Sequence, residues 1–247
     1  MFENIASQWT LDSGSYDDLT WKQLKNKRQV RHWKQILNTY LGSSPLRILE
    51  AGCGPGFLSI LLSEMGHSVK SVDGSTGMIS QVQKNMEILG LHAEIALEDA
   101  VALQEEAPES FDVIISRDVV WTLYDPEKAM SRWHEVLKPG GKLLYFDGNF
   151  QETEPTIKTR LWMALADLLI LITERRIYTK EAKGTEGVFL SLPLCRCKRP
   201  EADRKILKNA GFRKIRIRDD KWRNSPWSLE FWKYGYQGRK FLVLAQK

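Results

Sequence analysis

Residues 46–57, LRILEAGCGPGF, run from an apolar lead-in to three glycines in five positions, Gly52, Gly54 and Gly56. Glycine inside a regular element costs about 0.5–1 kcal/mol, so a run this dense marks a place where bare backbone has a use. Without a Cβ the chain takes a tight turn and lets a ligand come close. Two acids follow at intervals: Asp73 closes HSVKSVD (67–73), and Asp99 closes HAEIALED (92–99). In open α/β sheets ligands lie beyond the carboxyl ends of the strands, and an acid about twenty residues past the glycine turn accepts hydrogen bonds from a ribose diol. A glycine turn and two acids at one sheet edge predict a nucleoside site. The glycines do not follow the dinucleotide spacing G-x-G-x-x-G, and Glu50 stands just before the turn. A carboxylate there repels pyrophosphate and attracts an ammonium or sulfonium, by roughly 1–4 kcal/mol near 4 Å. The sign favours S-adenosylmethionine over NAD.

These residues need a frame to bring them together, and the chain's periodicity predicts one. RQVRHWKQILNTYL (28–41) places apolar residues at three- and four-residue spacing, as a helix does. The apolar strand LRILEA precedes the helix 56–66, which closes on Gly66; a helix at 80–90 closes on Gly90. FDVIISRD (111–118) reads as a strand, 126–141 as a helix stopped by Pro-Gly-Gly, and KLLYFDGN (142–149) as the next strand. Alternating strands and helices predict a parallel sheet with helices on both faces. The rhythm breaks over 153–195, a helical stretch followed by a glycine-containing loop. A short helix (199–212) and two final strands, RKIRIRDD and RKFLVLAQK, complete a single α/β domain with an insertion.

Composition bounds the function classes. The chain has 247 residues, 43% hydrophobic and 27% charged, which excludes disordered and collagen-like classes. Cys53, Cys195 and Cys197 are too few and too oddly spaced for a disulfide framework, so a reducing cytoplasm is expected. The N-terminus is acidic and polar, unlike a signal peptide. LWMALADLLILI (161–172) contains Asp167 and is shorter than the about 20 residues a bilayer span needs, so it predicts a buried helix or pocket wall. The net charge is +5, yet residues 196–223 alone carry twelve Lys/Arg and four Asp/Glu, +8 in all, against −3 elsewhere. Such a stretch is either a solvated face or a seat for an anionic partner.

The sequence resembles the class I S-adenosylmethionine-dependent methyltransferases, most closely their type 11 branch. ILEAGCGPGF is similar to that family's first motif, VDGSTGM to its second-strand acid and following helix, and LEDAVAL to its adenine-contacting acid and neighbour. FDVIISRDVVWTLYDPEKAMSRWHEVLKPGGKLLYFD is similar to its fourth strand through its fifth, and the resemblance covers about residues 44–150. It implies a Rossmann-like seven-stranded sheet in the order 3-2-1-4-5-7-6 with strand seven antiparallel. It divides the domain into an N-terminal helical cover (1–43), a cofactor core (44–150), a lid inserted after strand five (153–195) and a last helix and strand pair (196–247). Residue by residue, it implies that Gly52, Gly54 and Gly56 wrap the methionine and ribose part of S-adenosylmethionine, and that Glu50 faces its ammonium. Asp73 takes the ribose hydroxyls, Ser75 and Met78 line the adenine side, and Asp99 accepts the adenine amino group beside the backbone of Ala100. Arg117 lies under the transferable methyl, unless it is a surface arginine.

Methyl transfer is an in-line displacement, so proximity and orientation can supply most of the rate, roughly 7–11 kcal/mol. A general base is optional; His32, Tyr16 and Asp147 are the weak candidates. His67, His92 and His134 fall away from the cofactor edge. No metal is expected, because Asp118, Asp147 and Asn149 depart from the catechol-type acid set, and Cys195 with Cys197 lacks a convincing third thiol. Nucleic-acid and protein-arginine signatures are missing after strand four, which leaves a small-molecule acceptor, quinone-like or a secondary metabolite. Trp9, Tyr16, Trp121 and Trp162 are the expected pocket walls, since aromatic-lined sites suit flat or greasy ligands. Two alternatives stand: an RNA methyltransferase using the basic 196–223 stretch with Phe212, Trp222 and Trp227, and a cofactor-binding protein without turnover.

Overall fold

The computed structural model describes residues 1–149, 156–174, 189, 191–221 and 223–247. Its strands are β1 (Arg47–Ala51), β2 (Ser68–Asp73), β3 (Glu94–Leu97), β4 (Phe111–Arg117), β5 (Leu137–Gly148), β6 (Arg213–Asp219) and β7 (Lys240–Gln246). They form one sheet in the order β3-β2-β1-β4-β5-β7-β6. The first five pair in parallel, and β7 runs antiparallel to both β5 and β6. Ile48, Leu49 and Ala51 of β1 and Val113, Ile114 and Ile115 of β4 are buried on both faces, which explains why these strands read as unbroken apolar runs.

Helices cover both faces. On one, α2 (Lys27–Leu41) and α3 (Phe57–Glu64) bury Trp33, Leu37, Phe57 and Leu61 against Ile48 and Val113. On the other, α5 (Pro126–Val136) and α7 (Glu201–Asn209) bury Trp133 and Leu207 against Leu49 and Ile114. Between β2 and β3, α4 (Thr76–Ile88) sets Val82 and Met86 against Cys53 and Ile60. The two remaining described helices of four turns or more are α1 (Phe2–Lys25) and α6 (Ile157–Glu174), and the short α8 (Leu229–Tyr234) precedes β7.

Two segment boundaries differ from expectation. The helix expected over 126–141 ends at Val136, and Leu137 already pairs with Phe111, so Pro-Gly-Gly lies within β5 beside a register shift. A Cβ on Gly141 would meet Lys138 O at 2.8 Å and Asp112 O at 3.2 Å, a crowding only glycine avoids. The apolar run 161–172 is not a buried helix. Ala166 and Ile170 are fully buried, whereas Leu161, Leu165, Leu168, Leu171 and Ile172 are 42–69% exposed. A helix apolar all round carries no periodicity to say which side faces inward; here the inner side meets α8, with the Trp162 and Phe231 rings 4.8 Å apart. The rest of the expected lid, 153–155, 175–188 and 190, lies outside the described residues. Among the described residues no helix is long and apolar enough to cross a membrane.

In α1 the buried side is partly polar, Ile5 with Ser13, Asp17 and Thr20. It crosses α4 so closely that a Cβ on Gly77 would meet Ser13 Oγ at 2.7 Å and Thr10 O at 2.9 Å. Trp21 Nε1 donates to Asn85 Oδ1 (2.9 Å), and Asn85 Nδ2 donates to Asp17 Oδ1 (2.6 Å) and Pro55 O (3.0 Å). These bonds tie α1 to the glycine turn. Within the basic stretch, Arg213, Lys214, Arg216 and Arg218 are exposed on β6, an edge strand, where charge discourages pairing with another sheet. Phe212 is buried and Trp227 is 97% exposed; Trp222 lies outside the described residues.

Candidate functional site

A cleft of about 1040 Å³ opens along the carboxyl ends of the strands, between them and α1. Its floor begins at the β1–α3 turn. Gly52, Gly54 and Gly56 all have positive φ, +73°, +53° and +93°. Their surroundings differ. A Cβ on Gly52 would sit 2.5 Å from Val119 Cγ2, and one on Gly56 would sit 2.5 Å from Val82 Cγ2, so these two glycines serve packing. A Cβ on Gly54 would meet only Met78 Sδ, at 4.0 Å, leaving this position open to the cleft.

Asp73, at the end of β2, accepts from Gly54 N and Ser75 N, both at 2.9 Å. Burial pushes its carboxyl above the usual range, and the Ser75 and Gly54 amides oppose that push. Ser75 caps α4 by accepting from Met78 N (3.1 Å), and its hydroxyl also lies 2.9 Å from Thr10 Oγ1 of α1. Past β3, Asp99 accepts from Val101 N (2.8 Å) and from the Tyr124 hydroxyl (2.5 Å), while the Ala100 carbonyl accepts from Trp133 Nε1 (2.7 Å). Glu50, Gly52, Gly54, Asp73, Ser75, Met78, Asp99, Ala100 and Arg117 all line the cleft.

Glu50 is 2% exposed and accepts a hydrogen bond from the Ser59 hydroxyl, which also lies 2.8 Å from Ser71 Oγ. Burial raises its pKa to about 8, more than Ser59 and Arg117 lower it. Between the ordinary value of 4.5 and about 8, the folded chain keeps a proton that the unfolded chain has released. Stability therefore falls as pH rises through that window and changes no further from this group above it. Glu50→Gln removes the titration. Without ligand, its melting temperature relative to the parent is expected to rise between pH 5 and pH 9; a pH-independent difference would show that Glu50 is ionised throughout.

The other end of the cleft is aromatic and cationic. Trp9 lies 5.4 Å from Tyr16, 6.4 Å from Trp121 and 5.2 Å from Phe189, ring centre to ring centre. Trp9, Tyr16 and Trp121 line the cleft. Trp162 does not line it; its Nε1 donates to Trp232 O (2.9 Å) on the outer helix pair. Arg117, far from being a surface arginine, stacks its guanidinium 4.4 Å above Phe57 and donates to Gln23 of α1 (3.0 Å).

The three candidate bases separate. Tyr16 lines the cleft. His32 lies outside it on α2; burial lowers its pKa first, with Asp220 opposing and Arg223 and Arg28 adding to the effect. Asp147 is fully buried, accepting from Trp121 N (2.9 Å) and Gly148 N (2.8 Å) and paired with Arg199 at 3.1 Å. Burial, against Arg199, raises its pKa to about 6, but its oxygens face protein donors rather than the cleft. His67 and His92 lie at the opposite sheet edge, where His67 Nδ1 accepts from Leu46 N (3.3 Å). Sequence reasoning missed Phe2 and Tyr124 as walls, Arg223 and Lys240 as lining cations, and Phe189 as the ring packed on Trp9 and Trp121. The four lining residues come from separate elements, so their spacing gives no sign that they meet.

Comparison with known proteins agrees with this geometry. Residues 49–145 match a family model described as "Methyltransferase domain". The ubiquinone biosynthesis O-methyltransferase of Ruegeria pomeroyi is 32% identical over 147 residues, 57% of this chain and 58% of that one. The protein of the same name from Actinobacillus pleuropneumoniae is 28% identical over 188 residues, 74% of this chain and 73% of that one. Haemonchus contortus phosphoethanolamine N-methyltransferase 2, solved in complex with S-adenosyl-L-methionine, superposes with a TM-score of 0.59 at 22% identity, covering 86% of this chain and 51% of that one. The match thus spans under three-fifths of the Ruegeria relative and about half of the Haemonchus chain. Sheet order, glycine turn and family match agree in giving residues 49–145 the fold of a methyltransferase domain.

Proposed function

We propose that this chain is a methyltransferase that uses S-adenosylmethionine to methylate a small molecule, a quinone-like ring or a flat secondary metabolite. One observation carries the reading: the backbone at Gly54, open to the cleft, lies beside the half-buried Asp73 carboxylate and leads to a wall of aromatic rings. In this reading Gly52, Gly54 and Gly56 shape the seat of the methionine and ribose portions, and Glu50 faces the ammonium. Asp73 holds the ribose hydroxyls, Ser75 and Met78 border the adenine, and Asp99 with Ala100 takes its amino edge. Arg117 lies near the transferred methyl. When bound, the donor supplies an activated methyl on a sulfonium. The chain's own part is to bind, orient and dehydrate the partners, which suffices for much of the acceleration of a displacement. Tyr16 is the one candidate base that borders the cleft.

The relatives' name, ubiquinone biosynthesis O-methyltransferase, supports a ring-bearing acceptor. The three free cysteines support a reducing, cytoplasmic setting. The reading takes 1–247 as one domain, with 1–43 as cover and 153–195 as lid. Incubating the protein with methyl-labelled donor and a metabolite extract is expected to yield small molecules heavier by one labelled methyl group. Tight donor binding without any labelled product would instead favour a binding protein. Asp73→Ala is expected to weaken binding of S-adenosylhomocysteine by about 1.5–3 kcal/mol in calorimetry, the range for hydrogen bonds to a charged group. A loss under about 0.5 kcal/mol, within the scatter of a neutral substitution, would put the ribose elsewhere.

A further inference from the structure

We infer that the cleft recognises an anionic group on the acceptor, a carboxylate or phosphate carried on an aromatic ring, through Arg223, Lys240 and Arg117. This rests on the reading that the β1–β2–β3 half of the rim holds the donor. The cations belong to the other half: Arg117 ends β4, Lys240 begins β7, and Arg223 follows β6. In the sheet order, β4, β5 and β7 are consecutive and lie on the far side of β1 from β2 and β3.

Asp118 is the hub. Its carboxylate lies 3.2 Å from Lys240 Nζ, 3.7 Å from Arg117 Nε and 4.0 Å from Arg223 Nη1. Burial alone would raise the Asp118 pKa; Lys240, Arg223 and Arg117 outweigh it and hold it near 2. Three cations thus share the Asp118 carboxylate. Arg223 also reaches Asp220 (3.7 Å), which does not line the cleft, and Asp147 behind Lys240 is turned onto Arg199. The lining at this end carries Arg117, Arg223, Lys233 and Lys240 against Asp118 and Glu230. Lys233 and Glu230 form their own pair at 3.5 Å.

Arg117 keeps a donor to offer. Burial lowers Arg117 to about 10 despite Asp118, and Arg223 adds to the lowering. Buried Arg117 Nη1 has no hydrogen-bond partner among the described residues. Lys240 is likewise depressed by burial even with Asp118 beside it. A guanidinium and an ammonium converging on one partly buried site match the geometry of carboxylate or phosphate. The aromatic wall adjoins them directly, because Trp121 Nε1 donates to Asp118 O at 2.9 Å. A ring resting against the Trp9 and Trp121 wall would therefore present a ring-borne anion to this cluster.

The test titrates benzoate, phenyl phosphate and uncharged benzamide by calorimetry, with and without saturating S-adenosylhomocysteine. At least one anion is expected to bind about tenfold more tightly than benzamide, and the preferred anion identifies the head group. Arg223→Met should abolish that preference and leave benzamide binding and S-adenosylhomocysteine affinity within about threefold, while Arg223→Lys restores part of the preference. Equal binding of benzamide and both anions, or no binding of either anion at about 10 mM, overturns the inference. So does a variant that loses S-adenosylhomocysteine but not the anions, because the cations would then read the donor's own carboxylate. If S-adenosylhomocysteine does not bind the parent protein, the donor reading fails. The titrations without it still decide whether the cleft prefers the anion.

Discussion

Gly54→Val is expected to abolish donor binding and to leave a folded protein. Of the three glycines in the turn, only Gly54 presents open space where a side chain would go; its nearest contact would be Met78 Sδ at 4.0 Å. A branched side chain there projects into the cleft beside Asp73, where the ribose is proposed to lie. The left-handed φ of +53° adds a backbone cost of roughly 1–2 kcal/mol, which a core of this size absorbs. Calorimetry with S-adenosylhomocysteine should show a loss beyond about 100-fold, or about 2.7 kcal/mol, with an unchanged circular dichroism spectrum. Gly52→Val and Gly56→Val give the contrast. Their side chains drive into Val119 and Val82, so they should lose stability as well as binding. Affinity within about threefold of the parent in a folded Gly54→Val would empty the proposed donor seat.

The same turn shows how far the sequence could be read. The apolar runs of β1 and β4, the glycine stops at Gly66 and Gly90, and the acids ending β2 and β3 are local signals, and each lies where the spacing puts it. The family resemblance supplied the strand order, including the antiparallel β7, which no local pattern encodes. Division of labour among the glycines was not legible, since it depends on Val82 and Val119 from distant segments. Nor was the path of α1. Its buried side holds Ser13, Asp17 and Thr20, so hydrophobic periodicity is weak, and its seating rests on hydrogen bonds to Asn85. In α6 the opposite problem arises: apolar residues on every side conceal which face packs on α8. Arg117, Asp118, Arg223 and Lys240 meet only because β4 and β7 both flank β5. Their sequence separations give no hint of it.

The case of Asp147 carries this furthest, because a carboxylate that sequence offers as a base is held in place by a buried arginine. Arg199 is fully buried, with Nη2 2.6 Å from Asp203 Oδ1 and 3.1 Å from Asp147 Oδ2, and Nη1 3.1 Å from the Gly148 carbonyl. Tyr145 donates to Asp203 at 2.8 Å, and the guanidinium lies 5.2 Å above the Phe241 ring. Arg199→Met keeps the volume but strands two carboxylates in the interior, and removing one partner of a buried ion pair costs about 3–5 kcal/mol. Denaturant unfolding at pH 7.5 should show that loss. With the guanidinium gone, Asp147 rises further in pKa, so the folded variant binds a proton that its unfolded chain releases. Its deficit should therefore shrink as pH falls toward 5. Asp147→Asn in the Arg199→Met background should recover part of the loss, because the amide removes one stranded charge. The effect also reaches the cleft: Asp147 Oδ2 accepts from Trp121 N, so losing Arg199 frees the turn that carries the Trp121 wall. A variant within about 1 kcal/mol of the parent at pH 7.5, with no pH dependence, would mean that water or other groups replace the guanidinium. Asp147 would then again be available as a base.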